Sequence, residues 1–234
     1  MNILVTGASR GIGAAAYALL RKGGHKVVGH STRGSDQLIA GDLTDPAAPR
    51  HIWETALAEL DDRIDVLVNN AGIYEAVADN VTDDEWHAAW HRTLTINLQA
   101  PADLSRLAVS HFLDRGGGGR IVNIASRAAF RGDSPQHWHY AASKAALVGM
   151  TRTIARGYAA EGILCFAIAP GFTVSEMTAE YLQGRGGAQI VADIPLGRVA
   201  TTEEVAEVIR WMAADAPASA TGSVIDVNGA SYVR

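Results

Sequence analysis

The chain has 234 residues, 48% of them hydrophobic, and its 20 Lys and Arg against 25 Asp and Glu give a formal net charge of −5. This length suits one α/β domain around a single sheet, and the acidic balance excludes a general basic field for binding nucleic acid. No apolar run is long enough to span a bilayer and no basic leader precedes the first strand, so we expect a cytoplasmic protein without membrane or nucleic-acid partners.

Seven short apolar runs alternate with helical stretches, which predicts a doubly wound α/β (Rossmann) fold with helices on both faces of a parallel sheet. Only about ten residues separate the second strand from Asp42, too few for a crossover helix, so we expect a loop there. Cys165, the lone cysteine, lies in the sixth run, which favours a buried thiol and excludes an intrachain disulfide. The predicted strands are 3–5, 26–30, 38–40, 66–69, 120–124, 164–169 and 224–227.

Capping-box patterns at 82–85 and 201–204 predict the starts of two helices. The segment that follows the first box, 86–91, places His87 and His91 on one helix face together with two Trp residues. A metal site would need a Glu directly after His87 and a third ligand. We therefore expect no metal, and interpret this aromatic segment as a contact between subunits.

A glycine-rich turn joins the first strand to the first helix. Gly7 permits a tight turn, Gly11 lets a pyrophosphate approach the backbone, and Gly13 allows the helix to pack closely on the sheet. Free N–H groups at the start of the helix would face the anion. The spacing, G-x-x-x-G-x-G, differs from the commonest dinucleotide fingerprint, but its position between strand and helix predicts a dinucleotide site.

Tyr140 and Lys144 lie four residues apart in a helix-favouring stretch, so their side chains share one helix face. An ammonium group beside the phenol would stabilise the phenolate and draw its pKa from about 10 toward neutrality. Such a Tyr can serve as a general acid or base. This spacing alone is common by chance, and it gains weight from the glycine turn in the same chain.

In this order along the chain, the motifs resemble those of the short-chain dehydrogenase/reductase family, nearly from end to end. Within the family, 194–198 and 221–229 most resemble the 3-oxoacyl-(acyl-carrier-protein) reductase branch. The matching segments are 6–13 for the cofactor turn, Asp42 for the adenine-contacting acid, 69–72 for the motif closing the fourth strand, and 170–171 for the loop over the nicotinamide.

The resemblance implies a single dinucleotide-binding oxidoreductase domain over 1–234, with a substrate loop near 172–198, that assembles as a homotetramer. It also implies which residues contact the cofactor. These are Gly7, Ser9, Arg10, Gly11, Ile12, Gly13, Ser31, Arg33, Asp42, Leu43, Asn70, Ala71, Gly72, Tyr140, Lys144, Pro170, Gly171, Thr173 and Ser175.

By the same resemblance, Asn97, Ser126, Tyr140 and Lys144 form a catalytic tetrad. Tyr140 donates the proton, Lys144 lowers its pKa and binds the nicotinamide ribose, and Ser126 holds the substrate carbonyl oxygen. Asn97, a mediocre helix former inside a helical stretch, is expected to mark a local distortion whose carbonyl binds a relay water. Without the resemblance, the alternative interpretations are that Ser126 caps a turn and that Asn97 is a polar residue packed beside the sheet.

Ser31 stands where a site that prefers NAD usually carries an acid at the end of the second strand. Without that carboxylate, we expect Arg33 and Arg10 to bind the 2′-phosphate through charge-assisted hydrogen bonds. The sequence therefore predicts NADP(H). The alternative is that both Arg residues are solvated charges and that both cofactors bind.

Tyr140 follows Ser126 at a spacing of fourteen positions, apparently one more than in the related reductases, and the intervening loop is rich in aromatic and polar residues. We expect part of it to line the substrate pocket, although its last residues could equally be partly exposed at the start of a helix. An apolar lid is expected after the 170–171 loop. The candidate substrate residues are Ser126, His137, Trp138, Phe172, Met177 and Tyr181.

These features predict an NADP(H)-dependent oxidoreductase that acts on a carbonyl or secondary alcohol, with a 3-oxoacyl thioester as one candidate substrate. One alternative is a dehydrogenase that oxidises a small alcohol, diol or sugar. A second, from another class, is a dinucleotide sensor without turnover, against which the intact tetrad argues.

Overall fold

The computed structural model describes residues 1–174 and 187–234. Seven parallel strands form one sheet in the order β3-β2-β1-β4-β5-β6-β7. All seven predicted strands are confirmed to within one residue at each end. They are β1 (Asn2–Val5), β2 (Lys26–Ser31), β3 (Leu38–Ala40), β4 (Val66–Asn69), β5 (Gly119–Ile124), β6 (Ile163–Pro170) and β7 (Val224–Val227).

Helices cover both faces of the sheet, as the alternating pattern predicts. A π-helical turn at Thr95–Gln99 separates α3 from α4, and a second follows α8 at Trp211–Asp215. The helices are α1 (Gly11–Lys22), α2 (Ala48–Glu59), α3 (Asp83–Leu94), α4 (Ala100–Asp114), α5 (Ala128–Arg131), α6 (Trp138–Tyr158), α7 (Gly187–Ala192) and α8 (Thr202–Arg210), with short 3₁₀ turns at Ala159–Glu161 and Ala218–Ala220.

Alternate side chains of each strand point to opposite faces of the sheet, so β1 contributes to two cores. Leu4 packs with residues of α2 and α4, including Trp53 and Phe112. Ile3 and Val5 pack on the other face with residues of α1 and α8. Burial of apolar side chains on both faces is the main stabilisation of such a sheet, and it holds the carboxyl ends of the strands in fixed positions.

The connection between β2 and β3 contains no helix, as its length predicted. Instead, Ser35 pairs with Leu38 in an isolated antiparallel bridge, and the chain turns directly into β3. Cys165 is buried in β6, and burial raises the pKa of its thiol to about 12, which confirms a buried, unreactive cysteine.

Both predicted capping boxes are present. The Thr82 hydroxyl accepts a hydrogen bond from the Glu85 N–H, and the Glu85 carboxylate accepts one from the Thr82 N–H. Thr201 and Glu204 repeat this arrangement at the start of α8. These contacts satisfy first-turn N–H groups and fix where the helices begin. Within the described ranges, no helix is both long and apolar enough to cross a membrane.

Candidate active site

A cavity of about 1230 Å³ lies at the carboxyl ends of the strands, beside the point between β1 and β4 where the strand order reverses. In open α/β sheets this crevice is where ligands bind. Its lining includes these predicted residues: Gly7, Ser9, Arg10, Gly11, Ile12, Gly13, Ser31, Arg33, Asp42, Leu43, Asn70, Ala71, Gly72, Ser126, Tyr140, Lys144, Pro170, Gly171 and Phe172.

Glycine is required twice in the turn between β1 and α1. Gly7 has a φ of 67°, and a Cβ there would lie 2.8 Å from the Cα of Ala71. A Cβ on Gly13 would collide with the carbonyl of Gly7 and the side chain of Asn70. The turn therefore leaves a shallow backbone cradle at the start of α1, which fits the pyrophosphate of a dinucleotide.

Thr6 and Asn70 tie the ends of β1 and β4 together. The Thr6 hydroxyl accepts hydrogen bonds from the N–H groups of Asn70 and Ala71, both at 3.0 Å. The Asn70 amide donates to the carbonyls of Thr6 and Gly7, at 2.9 and 3.1 Å. These four bonds fix the glycine turn against the next strand. The sequence analysis missed this role of Thr6, although its place directly before the turn is a signal for it.

At the far end of the cavity, the Ser31 hydroxyl accepts a hydrogen bond from the Gly34 N–H at 3.1 Å. Arg33 lines the cavity beside it. Asp42 accepts from the N–H and the hydroxyl of Thr44, and these bonds lower the pKa of its carboxyl. Asp42 is therefore ionised at neutral pH and held by its own turn.

His30, another residue that the sequence analysis missed, is buried between β1 and β3 and also lines the cavity. Its Nε2 lies 2.8 Å from the carbonyl oxygen of Gly41, and its Nδ1 accepts from the Gly7 N–H at 3.4 Å. A carbonyl can only accept, so the proton belongs on Nε2. His30 thus links the glycine turn to the loop that carries Asp42, in the region where a crossover helix is absent.

Lys144 is buried, and its ammonium group donates a 2.8 Å hydrogen bond to the carbonyl of Ile124. Burial lowers the pKa of Lys144 to about 8. Its Nζ lies 5.8 Å from the ring centroid of Tyr140. The predicted pair on one face of a helix is therefore present, on α6.

The predicted effect of this pair on the tyrosine is wrong for the arrangement in this structure. Burial raises the pKa of Tyr140 to about 12, and the hydrogen bond with the Ser126 side chain opposes that rise only in part. The reason is that desolvation disfavours the phenolate, while the ammonium group of Lys144 is directed at Ile124. At neutral pH the phenol holds its proton, as a proton donor must.

Ser126 follows the end of β5, and its interpretation as a turn cap is confirmed. Its hydroxyl oxygen accepts a hydrogen bond from the Ala128 N–H at 3.1 Å, which caps the turn into α5. The same side chain lies close enough to the Tyr140 phenol to lower its pKa in part. Ser126 and Tyr140 therefore converge on one point of the cavity, where a carbonyl oxygen could bind both hydroxyls.

Asn97 lies in the π-helical turn, so the expected distortion is present. Its side chain is fully buried and bonds both backbone groups of Ile73: Oδ1 accepts from the N–H at 2.8 Å, and Nδ2 donates to the carbonyl at 3.0 Å. Nδ2 also lies 3.3 Å from the Ser143 hydroxyl. Asn97 thus connects the segment after β4 to α6, the helix that carries Tyr140 and Lys144.

Two candidate substrate residues do not line the cavity. His137 is buried behind Tyr74, whose ring stacks on it with centroids 3.9 Å apart. Trp138 is 54% exposed and packs edge-on against Trp86, because α6 begins here and turns it outward. Tyr74 takes their place: it lines the cavity and meets Tyr140 edge-on at 4.8 Å. Its position two residues after the Asn-Asn-Ala-Gly motif was the available signal.

The loop after β6 is described only in part. Phe172 lines the cavity, whereas Thr173 is buried, and its hydroxyl donates to the Gly171 carbonyl at 3.3 Å. The remaining candidates, Ser175, Met177 and Tyr181, lie outside the described residues.

Two sets of comparisons agree with this geometry. Residues 7–230 match the model of a family described as enoyl-(acyl carrier protein) reductase. The 3-oxoacyl-[acyl-carrier-protein] reductase FabG of Escherichia coli (strain K12) is 36% identical over 242 residues, which cover 98% of this chain and 96% of the relative. The chain belongs to the short-chain dehydrogenase/reductase family. It is accordingly an oxidoreductase, and the fold predicted for that family is confirmed.

Two further relatives illustrate the range of the family. The cis-4-hydroxycyclohexanecarboxylate dehydrogenase of Sinomonas cyclohexanicum is 37% identical, with 97% of this chain and 94% of the relative covered. The crystal structure of a short-chain dehydrogenase from Burkholderia cenocepacia J2315 in complex with NADP superposes with a TM-score of 0.88 at 29% identity, covering 98% of this chain and 97% of that one.

Proposed function

We propose that the protein is an NADP(H)-dependent oxidoreductase that interconverts a carbonyl compound and a secondary alcohol. The observation that carries this proposal is the half-buried Tyr140 side chain, which lies beside Ser126 and Lys144 in the same cavity as the glycine turn. Bound NADPH would supply a hydride to the carbonyl carbon. Ser126 and Tyr140 hold the carbonyl oxygen, and Tyr140 gives up its proton as negative charge develops there.

The lining of the cavity fits a dinucleotide with a 2′-phosphate. The backbone cradle at Gly7 and Gly13 suits the pyrophosphate. Ser31 leaves the end of β2 without a carboxylate, and Arg10 and Arg33 line the same cavity. Guanidinium groups bind a phosphate dianion through paired charge-assisted hydrogen bonds. The complex of the Burkholderia cenocepacia relative with NADP supports this choice.

The other two members of the tetrad, Lys144 and Asn97, position the cofactor and the surrounding backbone. Lys144 is held by Ile124 on the floor of the cavity, where it can contact the nicotinamide ribose. Asn97 fixes the π-helical turn beside it, and we propose that the turn contributes to a proton path from Lys144 to solvent. We also propose the rest of the expected assembly: a single domain with a substrate loop near 172–198, in a cytoplasmic homotetramer.

The relatives, a 3-oxoacyl reductase and a hydroxycyclohexanecarboxylate dehydrogenase, support a ketone and secondary-alcohol pair as the reacting group, with 3-oxoacyl thioesters among the candidates. A panel of 3-oxoacyl thioesters, diketones, cyclic ketones and sugars, assayed with NADPH and in reverse with NADP⁺ and the alcohols, tests the proposal. Steady turnover of the nucleotide with any of them supports it. Nucleotide binding without turnover across the whole panel would favour the sensor instead.

A further inference from the structure

The substrate end of the cavity carries a cation that the proposed chemistry does not use. Arg127 directly follows Ser126 and lines the cavity. Its backbone N–H donates to the carbonyl of Pro170 at 2.9 Å, so the residue bridges the ends of β5 and β6. Its guanidinium carbon lies 4.9 Å from the ring centroid of Phe172. Arg127 is therefore held at its backbone by the end of β6 and at its guanidinium by Phe172.

The guanidinium group of Arg127 is only partly satisfied. Its Nη1 is buried and hydrogen-bonds no residue in the described part of the chain. No described carboxylate lies within 4.0 Å of it. Burying a charge without a counter-charge costs free energy, and burial accordingly lowers the pKa of Arg127.

The neighbouring charges are already engaged with other groups. Arg131 forms an ion pair of 2.9 Å with Asp193. Asp133 accepts hydrogen bonds from the Tyr74 hydroxyl at 3.1 Å and from the Ser134 N–H at 2.7 Å. Asp133 keeps its negative charge at a distance from Arg127, so no carboxylate in the described part of the chain pairs directly with the Arg127 guanidinium.

We propose that the substrate is an oxo or hydroxy acid whose free carboxylate pairs with Arg127 while its carbonyl or hydroxyl oxygen lies at Ser126 and Tyr140. A guanidinium group matches a carboxylate through two parallel hydrogen bonds. Arg127 directly follows Ser126 and both line the same cavity as Tyr140, so one small substrate can contact all three side chains. In the reductive direction, hydride from NADPH and the proton from Tyr140 convert the oxo acid to the hydroxy acid and NADP⁺.

This inference deepens the proposed function and rests on it, and kinetics with matched substrates test it. The assay compares 3-oxobutanoate, 4-oxopentanoate and 4-oxocyclohexanecarboxylate with their methyl esters. We expect kcat/KM for at least one acid to exceed that for its ester by about 30-fold, a size typical of charge-assisted hydrogen bonds. Arg127→Gln should bring this ratio close to one, while Arg50→Gln, the same change on the exposed face of α2, should preserve it. Preference for the esters, or an equal loss for acid and ester in Arg127→Gln, would overturn the inference.

Calorimetry separates this inference from the reaction itself. Cyclohexanecarboxylate and its uncharged amide are titrated into the protein with saturating NADP⁺. The acid should bind about tenfold or more tightly than the amide, and Arg127→Gln should remove the difference. Equal affinity of wild type for acid and amide, or no binding of the acid, contradicts the inference even if ketones are reduced. Selective binding of the acid without turnover of any substrate would instead contradict the proposed function.

Discussion

The ammonium group of Lys144 is anchored to the carbonyl oxygen of Ile124, 2.8 Å away, two residues before Ser126 on the same strand end. This bond joins α6 to the end of β5 and sets where Tyr140 lies relative to Ser126. It also holds a charge in a buried position, which lowers the pKa of Lys144 to about 8. The site therefore keeps a group whose burial lowers the stability of the fold.

Replacing Lys144 by Met should stabilise the protein at neutral pH while abolishing activity. A folded-state pKa of about 8, below the ordinary 10.5, means that the unfolded chain binds more protons between these values. The stability cost is present in full below pH 8 and is relieved as pH rises toward 10.5. The lowered pKa corresponds to a cost of about 3 kcal/mol in the free energy of unfolding at pH 7. The variant regains this amount but loses about 1 kcal/mol with the hydrogen bond to Ile124. Urea unfolding at pH 7 and pH 10 checks this: a variant less stable than wild type at pH 7, or a gain that does not shrink by pH 10, contradicts it.

Replacing Asn97 by Ala should destabilise the fold by about 2–4 kcal/mol, because both backbone groups of Ile73 lose their partner. Gln99→Ala alters an exposed residue of the same π-helical turn and serves as the control. Thermal and urea unfolding measure the differences; an Ala variant as stable as the control would show that the bridge to Ile73 is dispensable.

Replacing His30 by Phe should weaken NADPH binding about tenfold, since the glycine turn loses its link to Gly41. Burial lowers the pKa of His30, so its neutral form is favoured in the fold. Its contribution to stability is therefore complete above the ordinary value of about 6.5 and falls as pH drops toward the lowered folded value. The difference in free energy of unfolding between wild type and variant should be largest at pH 8 and smaller at pH 5. A difference that grows as the pH falls would contradict the assigned role.

Cofactor preference should depend on the end of β2. Arg33→Ala removes a cation for the 2′-phosphate, and Ser31→Asp introduces a carboxylate that repels it. Each change should lower the ratio of kcat/KM for NADPH over NADH by about 100-fold, a free energy of about 3 kcal/mol. Arg50→Ala, remote from the cavity, should leave the ratio unchanged. Equal kcat/KM of the wild type with NADH and NADPH would contradict the predicted preference for NADPH.

Much of this architecture could be predicted from the sequence because its signals are local. The apolar runs gave the strands, and Gly7 and Gly13 marked a turn that only glycine can form. Contacts between side chains of different helices and strands were harder to predict from the sequence. His137 and Trp138 are adjacent in sequence, but the start of α6 sends one beneath Tyr74 and the other toward solvent. Such partners depend on tertiary packing.

The pKa of Tyr140 could not be predicted from spacing either. Tyr140 and Lys144 share a helix face, as predicted, yet burial and the Ile124 carbonyl determine what that proximity does to the pKa. Spacing fixes which groups are near each other, whereas desolvation depends on everything packed around them.

The most direct test follows absorbance at 340 nm as NADPH is oxidised with the best carbonyl from the panel, in wild type and in Tyr140→Phe. We expect steady turnover by wild type and a loss of at least about 1000-fold in kcat for the variant, consistent with removal of a general acid, while calorimetry shows NADPH affinity within a few-fold of wild type. Turnover by Tyr140→Phe at a rate near that of wild type would show that Tyr140 is not the proton donor.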